Sequence, residues 1–353
     1  MKGTLPFAVS TACLALVCFF GCEKESGVSV GTSGKGGGDA AVPDDGYVVA
    51  QVDGTPLTWG EMEKRANGFL QDDINVNHLM IPKGKMEEAK TFFRRKAVNT
   101  FVFKTVMMNE ALRRKIKVSP FDERESYQNL ARTLEKRHWT TNDFFNKGPL
   151  GPATMRQEFQ DGMVIDKLLK VVVRPTLKVT DEEIRAHTAQ LQQTNDLIRV
   201  RLDTVRQQLL KGADFEQTAR AVSECPSSKK GGDIGEFVRG GRLPKEVEEQ
   251  AFSQDIGEIG PVVRSAMGYH ILKVTAKMPK RPKTDTTPEV PESIRLSHIL
   301  FRSLPINRKA ISDVILKLKY DQGVKEFYQK LLSTASVECF LYPGMTFGGE
   351  PGR

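Results

Sequence analysis

Apolar residues in this chain recur mostly at helical spacing and alternate, strand-like, in only a few short stretches. Tyr47 to Val52 and Thr55 to Leu57 read as two short strands. Asp53-Gly54 between them supplies the positive φ angles that a tight hairpin needs. Thr58 with Glu61 forms a capping-box pattern that starts a helix, and a longer helix is predicted over Met86 to Lys115 with Val98, Phe101, Val102, Met108 and Leu112 on one face. Ser119-Pro120 restarts the chain, and Thr180 with Glu183 caps another helix before Ile184. Ile198, Leu202, Val205 and Leu209 then mark an amphipathic helix over 197–210, which Gly212 can end. Asp214 and Gln217 cap the next helix, whose buried side is read as Phe215, Ala219 and Val222. Toward the end, Ile311, Val314, Ile315 and Leu318 mark one helix, with Val324, Phe327, Tyr328 and Leu331 after Gly323; Val337 to Leu341 reads as a closing strand.

The beginning of the chain breaks this pattern. Lys2 precedes an apolar run from Leu5 to Phe20 that is too short for a conventional membrane span and ends at Gly21-Cys22, which reads as an export signal. The Phe19-Phe20-Gly21-Cys22 stretch is similar to a bacterial lipoprotein cleavage site, with Phe19 where Leu is usual. That resemblance implies lipidation of Cys22; an ordinary secretory signal cut nearby is the alternative. Residues 23–46, rich in Gly, Ser and acidic side chains, read as a flexible tether.

Composition narrows the picture only a little. A net charge of +8 is spread along amphipathic segments and is not clustered with aromatics, which argues against nucleic-acid binding. Three of the five cysteines (Cys13, Cys18, Cys22) fall in the leader region, leaving Cys225 and Cys339, so there is no disulfide framework. The apolar stripes of the helical region could be ordinary core or a groove for unfolded chains; Met and Phe at helical spacing serve either purpose.

The densest signal lies between Lys211 and Thr275. Cys225-Pro226 is followed by Gly231-Gly232-Asp233-Ile234-Gly235, then Phe237, Arg239-Gly240, Leu243-Pro244, Ala251-Phe252, Gly257-Glu258-Ile259, Gly260-Pro261-Val262 and Gly268-Tyr269-His270-Ile271. This ordered set resembles the parvulin-type peptidyl-prolyl isomerase domain. The hairpin and helix after Val48-Val49-Ala50 are similar to the start of the exported SurA and PrsA foldases that carry such domains.

A parvulin domain normally opens with a strand bearing Ser-His-Ile-Leu; here that strand comes about 20 residues after the domain's apparent end, as Ile294-Arg295-Leu296-Ser297-His298-Ile299-Leu300-Phe301. Ile294, Leu296, His298 and Leu300 share one face, as do His270, Leu272 and Val274, so the two histidines could meet at a sheet centre. Two arrangements are open: a permuted domain whose first strand returns from the C-terminal side, or a second, truncated repeat beginning at 294.

The resemblance implies an α+β fold, a parvulin-like domain with a small antiparallel or mixed sheet and surrounding helices, inserted in a mainly helical chaperone module. The expected organisation is a signal peptide (1–21), a tether (22–46), a helical module (47–190) and the parvulin-like domain (191–276, completed by 293–302). An extended linker (277–292), a C-terminal return (303–343) and a tail (344–353) make up the rest. The implied catalytic residues are His270, His298 and Cys225, with Leu243, Val247, Phe252 and Met267 contacting substrate. Val247 stands where a larger aromatic is usual and Met267 where Ser or Thr often sits. Isomerisation breaks no bond, so no metal or cofactor is implied. The expected partners are unfolded exported polypeptides containing proline and, through Cys22, a membrane; a homodimer is left open. The competing functions are a non-catalytic chaperone that keeps the fold for binding, and a surface lipoprotein recognised through its basic helices.

Overall fold

The computed structural model of the protein describes residues 42–75, 78–136, 138–281 and 291–347. The expected signal segment, lipidation at Cys22, most of the tether, the middle of the 277–292 linker and the end of the tail lie outside the described residues. The chain forms two compact units, one of residues 178–317 and the other of everything up to Leu177 together with Leu318 onward. The sequence-based boundary at 190/191 falls inside a helix.

In the discontinuous unit, β1 (Val48–Val52) and β2 (Thr55–Thr58) form the hairpin, with Asp53 and Gly54 at φ 47° and 83°. The strand β7 (Val337–Cys339) pairs with the other edge of β1, giving the sheet order β2-β1-β7. The Asp53 carboxylate accepts from the Ser336 N–H at 2.8 Å, and the Asp53 N–H donates to the Ser336 carbonyl at 2.8 Å. On this sheet pack α1 (Trp59–Asn75) and α2 (Met86–Arg113); α3 (Pro120–Glu135) and α4 (Thr141–Lys147) pack with α5 (Pro152–Val172) in a second apolar cluster that holds Leu130, Leu134, Phe145 and Phe159. Val98, Phe101 and Val102 of α2 enter a core with Leu57, Met62, Ile165 and Leu168, and Cys339 packs against it half-buried. Leu112 does not join that stripe. It is 71% exposed, while Met107, five residues earlier and on another face of the helix, is fully buried.

The continuous unit is a four-stranded antiparallel sheet with helices on both faces. Its first helix, α6 (Asp181–Leu210), is unbroken from the Thr180 capping box onward, because no Gly or Pro interrupts it. Then come α7 (Phe215–Val222), a 3-10 turn (Pro226–Lys230), β3 (Asp233–Val238), α8 (Lys245–Ser253), β4 (Val263–Ser265), β5 (Gly268–Met278) and β6 (Ser293–Arg302). The strand order is β3-β6-β5-β4, so the late strand β6 occupies the middle of the sheet, between β3 and β5. It does not begin a second repeat: after β6 the chain enters α9 (Arg308–Leu332), which buries Ile311 and Ile315 against Ile184 and carries Tyr328 into the other unit's core. Val314 and Leu318, expected on the apolar stripe, are 47% and 60% exposed. Gly323 does not break α9. A Cβ there would lie 2.9 Å from Val173 Cγ1, so the glycine serves close packing.

Both faces of the sheet are covered, which is why β6 is buried at eight of its ten positions, its polar Ser293, Ser297 and His298 included. Tyr269, Ile271, Ile299 and Phe301 pack on Leu202, Leu209, Phe215 and Ala219 of α6 and α7; Val222, expected on that buried side, is 37% exposed. On the opposite face Leu272, Val274, Ile294 and Leu296 pack on Val247, Ala251 and Phe252 of α8. At the start of β5, Gly268 has φ 145°, and a Cβ on it would lie 2.2 Å from the Phe301 carbonyl oxygen. A Gly268→Ala substitution is therefore expected to cost about 2–4 kcal/mol in urea unfolding of this unit. A loss within ordinary surface-substitution error would mean that β5 and β6 do not approach so closely.

Candidate active site

The pairing register puts both histidines on the α8 face. His270 of β5 lies opposite Leu300, and His298 of β6 opposite Leu272, so the two rings are diagonal neighbours across the strand pair. Their Nδ1 atoms are 3.4 Å apart. On the far side of β5, Val263 of β4 is opposite His270, which brings Ser265 onto the same face with its Oγ 2.7 Å from His270 Nε2. Sequence reading missed Ser265. Its signal was the alternation of Val263 and Ser265 one hairpin turn before His270.

These groups are shut away from water: Ser265, His270 and His298 are 7%, 1% and 5% exposed. Burial, and then the neighbouring His298, push the His270 imidazole down to about 4; burial does the same to His298. Both rings are accordingly neutral at pH 7. The Met267 N–H donates to Ser265 Oγ at 3.1 Å, and the hydroxyl and His270 Nε2 share a hydrogen bond whose direction follows the imidazole tautomer. A neutral His270 accepting at Nε2 holds its proton on Nδ1 and donates it to Nδ1 of His298. The His298 proton is then on Nε2, a buried atom with no hydrogen-bond partner among the described residues.

The segment before β3 lies along the free edge of β6 at this level. The Glu224 N–H donates to the Leu300 carbonyl at 2.8 Å, and the His298 N–H donates to the Gly232 carbonyl at 2.9 Å. Gly232, at φ 88°, must be small, since a Cβ would meet the His298 carbonyl oxygen at 2.6 Å. Cys225 is held in this segment, half-buried, its N–H donating to Ser223 Oγ at 3.4 Å and its carbonyl accepting from the Ser228 N–H at 2.9 Å. Its thiol makes no hydrogen bond to either imidazole among the described residues.

Beside the histidines is an apolar wall. Val247 and Phe252 of α8 are 2% and 6% exposed and cluster with Leu272 and Leu296, with half-buried Leu243, Ile234 and Val263 packed against them. Ile234 and Val263 were not singled out from the sequence, because an apolar residue in a strand carries no mark of its own. Met267 stands apart from this cluster, 51% exposed on the turn between β4 and β5. Among the described residues no group of three or more His, Cys, Asp or Glu is placed to hold a metal ion. The site offers instead a neutral, internally bonded polar row beside a dry apolar wall.

A family profile described as "Rotamase: PPIC-type PPIASE domain" matches residues 179–276. The Foldase protein PrsA of Caldanaerobacter subterraneus subsp. tengcongensis is 30% identical over 315 residues, covering 84% of this chain and 88% of that protein. The chain belongs to the PrsA foldase family. Within this PrsA-family chain, 21% of the sequence aligns at 41% identity with 63% of the peptidyl-prolyl cis-trans isomerase Pin1 of Arabidopsis thaliana. A crystal structure of PrsA from Bacillus subtilis aligns over 82% of this chain and 93% of its own at 19% identity, with a TM-score of 0.22. The PrsA-family chain is thus a peptidyl-prolyl cis/trans isomerase of the parvulin type with an α+β fold. Its rotamase match stops before β6, the strand carrying His298. The strand expected to open a parvulin domain is here supplied after the matched region, from the C-terminal side.

Proposed function

We propose that this protein is an envelope foldase, tethered to a membrane through a lipid on Cys22, that speeds cis/trans isomerisation of X-Pro bonds in unfolded exported polypeptides. The parvulin-like domain is assigned to 191–276 with strand 293–302, and the helical module of 47–190 and 303–343 to holding clients. Ser265, His270 and His298 form its polar centre, with Cys225 in the half-buried segment along β6 as the further polar group; Leu243, Val247 and Phe252 are the wall that receives proline, and Met267 the exposed rim. The observation that carries this reading is the buried row Ser265–His270–His298 set beside the α8 wall.

Rotation about an X-Pro bond must cross a barrier of about 18–20 kcal/mol, because resonance holds the amide planar. The planar amide is more polar than the twisted one, so a desolvating wall raises the former relative to the latter. A buried neutral imidazole row fixes the polar groups around the bond without the reorganisation that water would need. No covalent bond is made or broken.

The test is a proline-peptide isomerisation assay on the mature chain. Replacing Ser265 by Ala or His270 by Asn is expected to lower kcat/KM by about 10–100-fold. Unchanged rates in both variants would remove the polar row from the mechanism. Suppressed client aggregation without any isomerisation by the wild type would favour the purely binding reading. Metabolic labelling with a fatty acid, lost in Cys22→Ala, is the expected result for the anchor.

A further inference from the structure

Arg239 links the apolar wall to the segment that leads into β6. Its guanidinium carbon stands 4.3 Å from the centre of the Phe252 ring, so the planar group lies over one face of that side chain. Its backbone begins the loop that carries Leu243 into the same cluster. Arg239 is itself held from β6's side of the sheet: its Nε donates to Glu292 Oε2 at 2.9 Å and its N–H to the Glu292 carbonyl at 3.3 Å. The next residue is tied to α8, the Gly240 N–H lying 3.1 and 3.0 Å from the two carboxylate oxygens of Glu248.

We propose that Arg239 is a positioning residue for the proline-receiving wall, and that Glu292, immediately before the permuted strand, is its anchor. The proposal rests on the reading of Phe252 and Leu243 as that wall. Phe252 is 6% exposed, and the guanidinium stacked over its ring helps to shield and fix that side chain. A lysine keeps the charge but lacks the planar group that lies flat on a ring and forks to a carboxylate. Glu292 sits one residue from Ser293, whose hydroxyl donates to Glu236 Oε1 at 2.6 Å, so the anchor is fixed to the β3–β6 ladder. The permuted strand therefore contributes His298 and also the support of the pocket wall.

The experiment measures kcat and KM for a proline peptide by NMR exchange, and Kd by amide-shift titration, in the full mature chain. Arg239→Ala is expected to raise KM and Kd about 10-fold with kcat within about two-fold, since the histidine row is untouched. Arg239→Lys should recover only part of the loss, and Glu292→Gln should raise KM about three-fold. A fall in kcat equal to the rise in KM, or a lowered melting temperature with KM unchanged, would show a merely structural role and overturn the proposal. If the wild type binds the peptide without isomerising it, the catalytic reading fails while the Kd of Arg239→Ala still decides this one. If the wild type neither binds nor isomerises, both fall.

Discussion

A chain of residues 178–291 will not form the sheet, whereas one of residues 178–317 will unfold cooperatively in urea. The reason is the position of β6. It pairs with β3 along one edge and with β5 along the other, so its removal strips hydrogen-bond partners from two strands at once. It also removes Ile294, Leu296, Ile299, Leu300 and Phe301, all at most 3% exposed. At about 1.5–3 kcal/mol per buried side chain the loss is about 7–15 kcal/mol, comparable to the whole stability of a domain. Amide exchange of β5 is the sharpest readout. Protected β5 amides in the shorter chain would show that the sheet does not depend on its central strand.

Acidification from pH 6.5 to 4 will destabilise the same 178–317 unit by several kcal/mol, before most of its carboxylates titrate. His270 and His298 have folded-state pKa values lowered from 6.5 to about 4, so between those limits the unfolded chain binds more protons than the folded one. Stability from the neutral pair is fully present above pH 6.5, falls as pH drops through the window, and levels off below about 4. Each ring accounts for about 3 kcal/mol, and the two titrate as a coupled pair, since the first charge opposes the second. Asp233, held below its usual value by its hydrogen bond to Arg295, contributes only at lower pH. Urea midpoints at pH 7, 6, 5 and 4, with His270→Asn as comparison, check this. A flat wild-type profile over the window would mean that the rings are not neutral and buried as a pair.

How far the sequence reached depended on what kind of signal each feature leaves. The hairpin at Asp53-Gly54 and the helix starts at Ser119 and Thr180 rest on local hydrogen-bond chemistry, and the structure has them where the residues place them. The histidine pair was legible because strand parity is a strict rule: a residue's face follows from counting. Ser265 was not, since its relevance comes only from the β4–β5 register, which a three-residue strand hardly announces. Helical stripes were less secure. Leu112, Val222, Val314 and Leu318 all fit the spacing yet stay exposed, because a helix's apolar face is buried only where a neighbour happens to cover it. The Arg239 contact with Phe252 joins residues on different elements and has no periodicity to betray it.

The small sheet β2-β1-β7 sets an order of events for a chain made from its N-terminus. β1 is among the first described residues to emerge, yet its partner β7 spans Val337–Cys339 and is among the last. Until those residues arrive, one edge of β1 stays open, and the loop to be closed encloses the whole 178–317 unit. The isomerase sheet has all its strands once β6 is out, so it can finish first. A chain truncated just before Val337 would carry a working isomerase on an unfinished partner, with an exposed strand edge ready to pair with a neighbour.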